Sequence, residues 1–395
     1  MKNLINSRGD PELRQGKKEI NESALRQRAW IEVDSSAIES NARILKKLIP
    51  EQCLFMAVVK ADGYGHGAET VARAALRGGA NNLGVATVQE GLELRQAGIN
   101  CPILVLGNLT NSEELRACLD WDLMPTISSI REAFVCEQLA EDNGGQISVH
   151  LKVDTGMARL GCDRQNALSL IKTIQSYKHV FLEGVYSHLA LADDQSSPVN
   201  DLQLTRFNDL VKKLKTVGYD FCFHLANSAG TLRDTSLHFD MVRVGLALYG
   251  YSPIKLARKN DFVLQPALSV KARVTLIREV PQGVGVSYGH RFITKRPTRL
   301  AVVGIGYADG INRALSGKIL VLINSQQLPQ VGSITMDQLV LDATDHPDVQ
   351  VGSIVTLLGK DGNSCITPKQ WTHWCGSIPW EVLCGFKHRL PRIVI

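Results

Sequence analysis

A lysine that follows an apolar run is the residue of this chain best placed to do chemistry. Residues 57–67 read AVVKADGYGHG, and the apolar run over 55–59 leads directly into Lys60. An apolar run of this length predicts a buried strand, where a lysine either extends its amine into water or is paired or used. Burial favours the neutral amine, which attacks carbonyl carbon atoms and forms Schiff bases. The glycines that follow allow backbone to approach a ligand closely and suit an anion-binding site.

Polar side chains also follow, or lie on, several later apolar runs. In chain order these are Lys152, Asp154, Ser187, His188, Asn227, Ser228, Arg243 and Gly245. One such residue alone is uninformative, because a single histidine is more often a core residue and a single serine a helix cap. If the runs are parallel strands of one barrel, however, their carboxyl ends meet at one mouth. The set then predicts a shared site around Lys60.

The elements that must position these residues alternate in type. Short apolar runs recur over residues 55–61, 83–87, 102–107, 122–127, 148–154, 181–189, 221–228 and 241–250. Helix-favouring stretches lie between most of them, over 71–77, 89–97, 112–119, 129–140, 165–176 and 202–217. About eight strand–helix repeats are typical of a (β/α)8 TIM-type barrel. A doubly wound open sheet is the alternative, but no G-x-G-x-x-G follows the first strand.

The pattern of residue types changes near Pro266. Six short segments rich in valine, isoleucine and threonine follow, separated by glycine turns, and few helical stretches intervene. This pattern predicts a mainly β domain. We therefore expect a disordered extension over residues 1–28, a barrel over 29–264 and a β-rich C-terminal domain over 265–395. The first strand, AWIEV at 29–33, can pair with the β domain instead of the barrel.

Composition and charge limit the classes of molecule that the chain is expected to bind. The 395 residues carry a formal net charge of +5 and no basic block after residue 30, which argues against nucleic acid. Nine scattered cysteines without a C-x-x-C pair are typical of free thiols in a reducing cytoplasm. His373 and Cys375 alone do not make a metal site. No apolar stretch reaches the roughly 20 residues of a membrane span, so we expect a cytoplasmic protein with no metal.

Seven motifs give the chain a family resemblance. They are AVVKADGYGHG (57–67), LKVDTGMARLG (151–161), YSHLA (186–190), HLANSAG (224–230), RVGLALYG (243–250), GYADG (306–310) and MDQ (336–338). In this order they resemble the alanine racemase family, whose members hold pyridoxal 5′-phosphate (PLP) on a lysine. The resemblance runs from about residue 29 to the C-terminus. It implies a racemase, an isomerase, that interconverts L-alanine and D-alanine.

The resemblance implies a reaction with two acid–base groups. Lys60 would hold PLP covalently and act on one face of the substrate carbon, and Tyr307 would act on the other. A free tyrosine has a pKa of about 10, and His188 would lower the cost of its ionisation by hydrogen bonding. Arg243 would face the pyridine nitrogen, to which an arginine can only donate. Such a partner suits a racemase better than an aminotransferase or a decarboxylase.

Binding roles are implied as well. Arg159 would reach the phenolic oxygen of PLP and the substrate carboxylate, and the backbone N–H of Met336 would hold the same carboxylate. Lys152 matches a lysine that is often carbamylated in the family, and Asp337 would support Met336. The family takes Tyr307 and Met336 from a second subunit, so we expect a homodimer with shared active sites. The remaining cofactor contacts implied are Tyr64, Asn227, Ser228, Gly245, Leu246 and Trp380, with further backbone amides near Gly230.

Two positions depart from the family pattern. Trp380 stands where the family usually has a tyrosine that touches the phosphate and shapes the substrate pocket. Its indole donates one hydrogen bond and cannot accept one, and its bulk favours alanine over larger amino acids. Ser333 stands where an arginine often lines the entrance, so the entrance residue Asp193 lacks its usual partner.

Several functions remain open beside an alanine racemase that supplies D-alanine for cell-wall peptidoglycan. A serine or broad-specificity racemase is one, because Trp380 lies where specificity is set. A catabolic role is another. A PLP-dependent amino-acid decarboxylase of similar architecture would need a reactive cysteine near the C-terminus, where Cys384 is the only candidate and its apolar setting suggests packing. A PLP carrier built on a lone barrel would not need the β domain with Tyr307.

Overall fold

The computed structural model describes residues 28–255 and 262–395. The extension expected over residues 1–28 therefore lies outside the described residues, apart from Arg28. The chain forms a parallel barrel followed by a mainly β domain, which confirms the predicted fold class. The first strand, β1 (Ala29–Val33), precedes the barrel in sequence.

Eight parallel strands build the nearly closed barrel. The apolar residues of these strands are almost all buried, as parallel strands with covered faces require. β2 pairs with β3 on one side and with β10 on the other, so the doubly wound open sheet is excluded. No strand ladder joins β9 to β10, but the Arg243 N–H donates to the Ala226 carbonyl across this gap at 3.0 Å. In chain order the strands are β2 (Leu54–Val58), β3 (Asn82–Val85), β4 (Ile103–Asn108), β5 (Met124–Ile127), β6 (Ile147–Asp154), the short β7 (Cys162–Asp163) that pairs only with β6, β8 (Val180–Tyr186), β9 (Cys222–His224) and β10 (Met241–Val244).

Helices connect the strands. Capping boxes at Thr87 and Ser129 begin two of them, since a threonine or serine followed three residues later by glutamate satisfies free N–H groups at a helix start. The last predicted run, 241–250, contains only a four-residue strand, because a 3-10 turn over Leu246–Tyr249 follows Gly245. The helices are α1 (Ser35–Leu48), the short left-handed turn α2 (Lys60–Tyr64), α3 (Ala68–Arg77), α4 (Val88–Gln96), α5 (Ser112–Asp120), α6 (Ile130–Asp142), α7 (Ala167–Ile174), α8 (Pro198–Thr216) and α9 (Ser228–Arg233).

The C-terminal domain is a nine-stranded sheet with a separate hairpin. β1 lies in this sheet, antiparallel to β11 and parallel to β20, so the AWIEV segment belongs to the β domain in space. The strands are β11 (Leu268–Val280), β12 (Gly285–Val286), β13 (Phe292–Ile293), β14 (Thr298–Val303), β15 (Leu320–Ile323), β16 (Gln326–Val331), β17 (Leu339–Asp342), β18 (Ile354–Asp361), β19 (Ser364–Ile366) and β20 (Arg392–Val394), with helices α10 (Pro368–Cys375) and α11 (Pro379–Cys384) before the last strand.

One apolar core links the two domains. A continuous cluster of buried side chains runs from the barrel through Ile31 and Val33 of β1 into the large sheet. Within the described ranges, no helix is long and apolar enough to cross a membrane.

Candidate active site

A cavity of about 790 Å³ opens at the carboxyl ends of the barrel strands. This is the end of a barrel at which catalytic residues collect. The cavity brings together the predicted residues Lys60, Tyr64, Lys152, Arg159, His188, Asn227, Ser228, Arg243, Gly245, Leu246 and Trp380, together with Asp193.

The turn after β2 directs Lys60 and Tyr64 into this cavity. The strand ends at Val58, earlier than the predicted run to residue 61, because Ala61, Asp62, Gly63 and Tyr64 all have left-handed backbone with φ between 51° and 59°. Such backbone costs a non-glycine residue about 1 kcal/mol. Two carboxylates stabilise the turn: Glu90 accepts the Ala61 N–H at 2.7 Å, and Asp62 accepts the Ala68 N–H at 2.9 Å.

Two buried basic side chains, Lys152 and Arg243, share the floor of the cavity. Nζ of Lys152 lies 5.2 Å and Cζ of Arg243 lies 4.9 Å from the centre of the Tyr186 ring, within the range of cation–π contacts. Burial, followed by the charges of Arg243, Arg159 and Lys60, lowers the pKa of Lys152 to about 7. A large share of Lys152 is therefore a neutral, nucleophilic amine near neutral pH.

Arg243 is held by a set of acceptors. Nη1 donates to Nδ1 of His224 at 2.9 Å, and Nη2 lies 3.2 Å from Nδ1 of His188. Nη2 also donates to the carbonyls of Ser187 and Leu225 at 2.6 and 3.1 Å. Among the described residues, Nε of Arg243 has no hydrogen-bond partner and is available to a ligand. Because an arginine only donates, both histidines accept at Nδ1 and carry their proton on Nε2.

A second buried histidine continues this network. Nε2 of His224 lies 2.9 Å from Nδ1 of His150, and the His224 ring stacks on Tyr186 with the ring centres 4.6 Å apart. Burial, with the charge of Arg243, lowers the pKa of His150 to about 3 and that of His224 well below its ordinary value. Neither histidine was predicted to lie in the site. His224 begins the HLANSAG motif, which was the available signal, but only the fold brings the two rings together.

Buried histidines predict that the folded chain loses stability in mild acid. Burial lowers the pKa of His66 to about 4 and that of His150 to about 3, and it holds those of His188 and His224 well below 6.5. Between the folded pKa and about pH 6.5, each ring takes up its proton only when the chain unfolds. The free energy of unfolding is therefore highest above about pH 6.5 and decreases as the pH falls toward the folded pKa. We expect the free energy of unfolding to fall by about 1 kcal/mol per pH unit for each histidine between about pH 6 and pH 5. Denaturant unfolding at both pH values checks this, and equal free energies would contradict it.

The far end of the cavity can bind an anionic group. The Ser228 hydroxyl accepts the N–H groups of Gly245 and Ala247 at 2.9 and 3.3 Å, which leaves its own proton to donate. A Cβ atom on Gly245 would lie 2.5 Å from the Tyr64 hydroxyl, so the absence of a side chain there admits the phenol. The Gly230 amide, expected to bind an anion, instead donates to Oδ1 of Asn227 at 3.0 Å. The Gly245 and Gly230 amides are therefore occupied, whereas the two hydroxyls remain free to donate.

The wall that carries Trp380 comes from α11. This helix packs on the lysine turn so closely that a Cβ atom on Gly65 would lie 2.5 Å from the Leu383 carbonyl oxygen. Nε of Arg392 donates to the Gly65 carbonyl at 3.1 Å and fixes the same contact. Cys384 also lines the cavity, which corrects the expectation that it is a packing residue. Burial raises the pKa of the Cys384 thiol, so it is not activated as a reactive thiolate.

Tyr307, Met336 and Asp337 lie elsewhere, on the β domain. The structure does not bring them into the cavity of their own chain. Tyr307 is 41% exposed and Met336 is 52% exposed. They are neighbours, because the N–H groups of Tyr307 and Ala308 donate to the carbonyls of Thr335 and Met336 at 2.9 and 3.0 Å. The β domain thus presents a tyrosine and a methionine together on its surface.

Ser333 lies inside the β domain of its own chain. It is buried, and its hydroxyl donates to the Tyr288 carbonyl at 2.7 Å, while its own carbonyl accepts from Ser287 at 2.7 Å. A short side chain at this position joins two segments of the β domain. The expectation that Asp193 lacks its usual entrance partner stays a prediction.

Comparisons with known proteins match the whole described architecture. Residues 33–253 match the model of the alanine racemase N-terminal domain, and residues 267–394 match that of the C-terminal domain. An alanine racemase of Prochlorococcus marinus is 63% identical over 380 residues, which cover 95% of this chain and 98% of that protein. An alanine racemase of Nostoc is 49% identical and covers 93% of this chain and 96% of its own length.

Solved structures agree with this assignment. An alanine racemase of Bacillus anthracis with bound L-Ala-P has a TM-score of 0.86 and 36% identity and covers 93% of this chain and 95% of its own. An alanine racemase of Bartonella henselae with covalently bound pyridoxal phosphate has a TM-score of 0.83 and 32% identity and covers 93% of this chain and 100% of its own. Since both domain models and relatives of this similarity span nearly all of it, the chain belongs to the alanine racemase family.

Proposed function

We propose that the alanine racemase activity of this chain rests on two acid–base groups, Lys60 and Tyr307, acting on opposite faces of the α-carbon of alanine. Removal of the α-proton on one face and its return on the other inverts the configuration. The observation that carries the proposal is that Lys60 and Arg243 face one cavity in which Asp193 is the single carboxylate among the described lining residues.

The cavity fits PLP as the cofactor. The amine of Lys60 would hold it covalently, and the hydroxyls of Tyr64 and Ser228 with the amide of Leu246 would hold its phosphate. The fit is supported by the unused Ser228 proton and by the space that Gly245 leaves for the Tyr64 phenol. When bound, PLP acidifies the α-proton of an attached amino acid by withdrawing electrons.

Arg243 limits which type of PLP-dependent reaction the site can favour. Its Nε, which lacks a partner among the described residues, would donate to the pyridine nitrogen. An arginine at this place disfavours protonation of that nitrogen, whereas a carboxylate would favour it. Arg243 thereby favours prompt return of the proton to the α-carbon. This supports a racemase over the alternative of a decarboxylase.

A homodimer would complete the site. Tyr307 and Met336 lie outside the cavity of their own chain, so we propose that those of a second subunit enter it. His188 carries its ring proton on Nε2, since its Nδ1 accepts from Arg243. That Nε2–H would donate to the phenolic oxygen of the incoming tyrosine and stabilise its anion.

The substrate carboxylate would be bound from both subunits. Arg159 would meet it with its planar guanidinium, and the N–H of Met336 of the second subunit would hold its other oxygen. We place Asp337 behind Met336, where Arg389 donates to it at 2.7 Å.

Lys152 is expected to be carbamylated. Its neutral amine would attack carbon dioxide: the N–C bond forms as one C=O π pair moves to oxygen, one N–H proton leaves to water, and the resulting carbamate anion would pair with Arg159. In wild type, isotopically labelled bicarbonate should give a carbamate carbon signal in nuclear magnetic resonance that Lys152→Met lacks. We expect the variant to raise KM for alanine about tenfold, the effect of losing one charged hydrogen bond. An unchanged KM together with no signal would contradict the carbamate.

Trp380 is expected to keep the substrate pocket small. Trp380→Tyr should raise kcat/KM for serine relative to alanine by about tenfold, since a tight pocket discriminates against one extra small group on a substrate by about 1–3 kcal/mol. Trp374→Tyr, in an exposed tryptophan of α10, is the matched control. If Trp380→Tyr leaves the serine-to-alanine ratio unchanged, the indole does not set specificity.

The direct test of the activity is α-proton exchange in deuterated water across a panel of amino acids. Alanine should exchange fastest. Faster exchange of serine would favour the alternative of a serine or broad-specificity racemase, and release of carbon dioxide would favour a decarboxylase. We further infer a cytoplasmic role in supplying D-alanine for peptidoglycan, which growth of a deletion strain with and without D-alanine would test.

A further inference from the structure

A buried carboxylate lies in the turn that carries Tyr307. The side chain of Asp309 is fully buried, and it accepts the Gly306 N–H at 3.0 Å within the same turn. Arg28 binds both of its oxygens, with Nη2 to Oδ1 at 2.7 Å and Nη1 to Oδ2 at 2.8 Å. A bidentate pair of this kind fixes direction as well as distance. The turn is therefore tied to a residue 281 positions away in sequence.

Arg28 is itself anchored at both ends. Its Nη1 also donates to the Gly304 carbonyl at 2.8 Å, just before the turn. Its own carbonyl accepts the Arg273 N–H at 2.8 Å, which holds its backbone beside β11. Movement of this arginine relative to the sheet would break contacts at both ends. The sheet therefore determines where Asp309 and its turn lie.

A second arginine extends the network to the neighbouring loop. Nε of Arg389 lies 3.6 Å from Oδ1 of Asp309, and its Nη2 donates to Asp337 at 2.7 Å. Asp337 follows Met336, and the Tyr307 turn is bonded to that loop through its backbone. Arg28, Arg389, Asp309 and Asp337 thus link the Tyr307 turn to the Met336 loop. These are the two segments proposed to enter a second subunit.

We propose that Arg28 is a positioning residue for the reaction, which sets the direction of the Tyr307 phenol through Asp309, while Arg389 aligns the Met336 loop with it. The inference rests on the proposed role of Tyr307. The phenol is partly exposed and has no hydrogen-bond partner within the described residues of its own chain, so within that chain the turn determines the direction in which it is presented to the second subunit. Removing Arg28 would leave the buried Asp309 with the Gly306 N–H and the longer contact to Arg389 but without its bidentate partner, which is costly and displaces the turn. A displacement of about 1 Å at a reacting group lowers a rate about 100-fold.

The test uses the full-length holoenzyme carrying Arg28→Met, Arg28→Lys, or the control Arg296→Met. Arg296 forms an exposed ion pair with Asp345 in the same domain. Arg28→Met should lower kcat by at least about tenfold with little change in KM. The deuterium isotope effect should rise more with α-deuterated L-alanine than with D-alanine, because the Tyr307 step is slowed. Arg28→Lys keeps the positive charge but cannot bind both Asp309 oxygens as the guanidinium does, so its kcat should lie between those of wild type and Arg28→Met.

A double-mutant cycle separates positioning from general stability. If Arg28 acts through Tyr307, Arg28→Met should have almost no further effect in a Tyr307→Phe background. An equal loss of kcat on Arg28→Met in the wild-type and Tyr307→Phe backgrounds would overturn the inference. So would equal changes in the isotope effects for L-alanine and D-alanine. Either result leaves the role of Tyr307 intact. If Tyr307→Phe alone shows no directional effect, the proposed two-base reaction fails and this inference fails with it.

Discussion

Lys60→Ala should abolish racemisation and covalent attachment of the cofactor together. Loss of a positioned acid–base group costs about two to four orders of magnitude in rate, and loss of the only covalent anchor adds to this. Borohydride treatment of the wild-type holoenzyme, followed by digestion and mass spectrometry, should place the cofactor on Lys60. Lys47→Ala, in an exposed lysine of α1, should leave both the label and the rate unchanged. A label on another lysine would contradict the assignment.

Tyr307→Phe should slow the two directions unequally. The phenol is proposed to remove the α-proton of L-alanine, whereas Lys60 removes that of D-alanine. We expect α-proton removal from L-alanine to slow by about 100-fold or more, while exchange of the α-proton of D-alanine with solvent persists. Exchange measured by proton magnetic resonance, starting from each enantiomer, checks this.

The matched control for Tyr307 is Tyr288→Phe, in a more exposed tyrosine of the β domain. Tyr288→Phe should keep the rates of α-proton removal from L-alanine and from D-alanine much closer to the wild-type rates than Tyr307→Phe does. Equal losses from L-alanine and D-alanine in Tyr307→Phe would argue against two separate bases.

Local sequence patterns predicted most of the fold. The barrel strands are apolar and short, so the start of each could be placed within two residues, although the last predicted run extended six residues past its strand. The turn after β2 was misplaced because Ala61 and Asp62 adopt left-handed backbone that their residue types do not indicate. α1 was not predicted, although Asp34 caps its first turn by accepting the Ala37 N–H at 2.9 Å.

The cavity was predicted because its residues end parallel strands, and the geometry of a barrel brings those ends together. Contacts between residues distant in sequence could not be predicted. Neither the pairing of His150 with His224 nor that of Arg28 with Asp309 has a local signal, since each depends on the packing of whole elements. The position of Ser333 inside the β domain likewise follows from its contact with Tyr288.

We propose that each active site takes Lys60 from one subunit and Tyr307 from the other. Coexpression of Lys60→Ala and Tyr307→Phe chains with different tags allows the mixed dimer to be purified. In that dimer one site carries both substitutions and the other carries neither, so its racemase activity should be about half that of the wild-type dimer. If Lys60 and Tyr307 act within one chain, both sites are damaged, and activity no higher than that of the two parent variants would contradict the account.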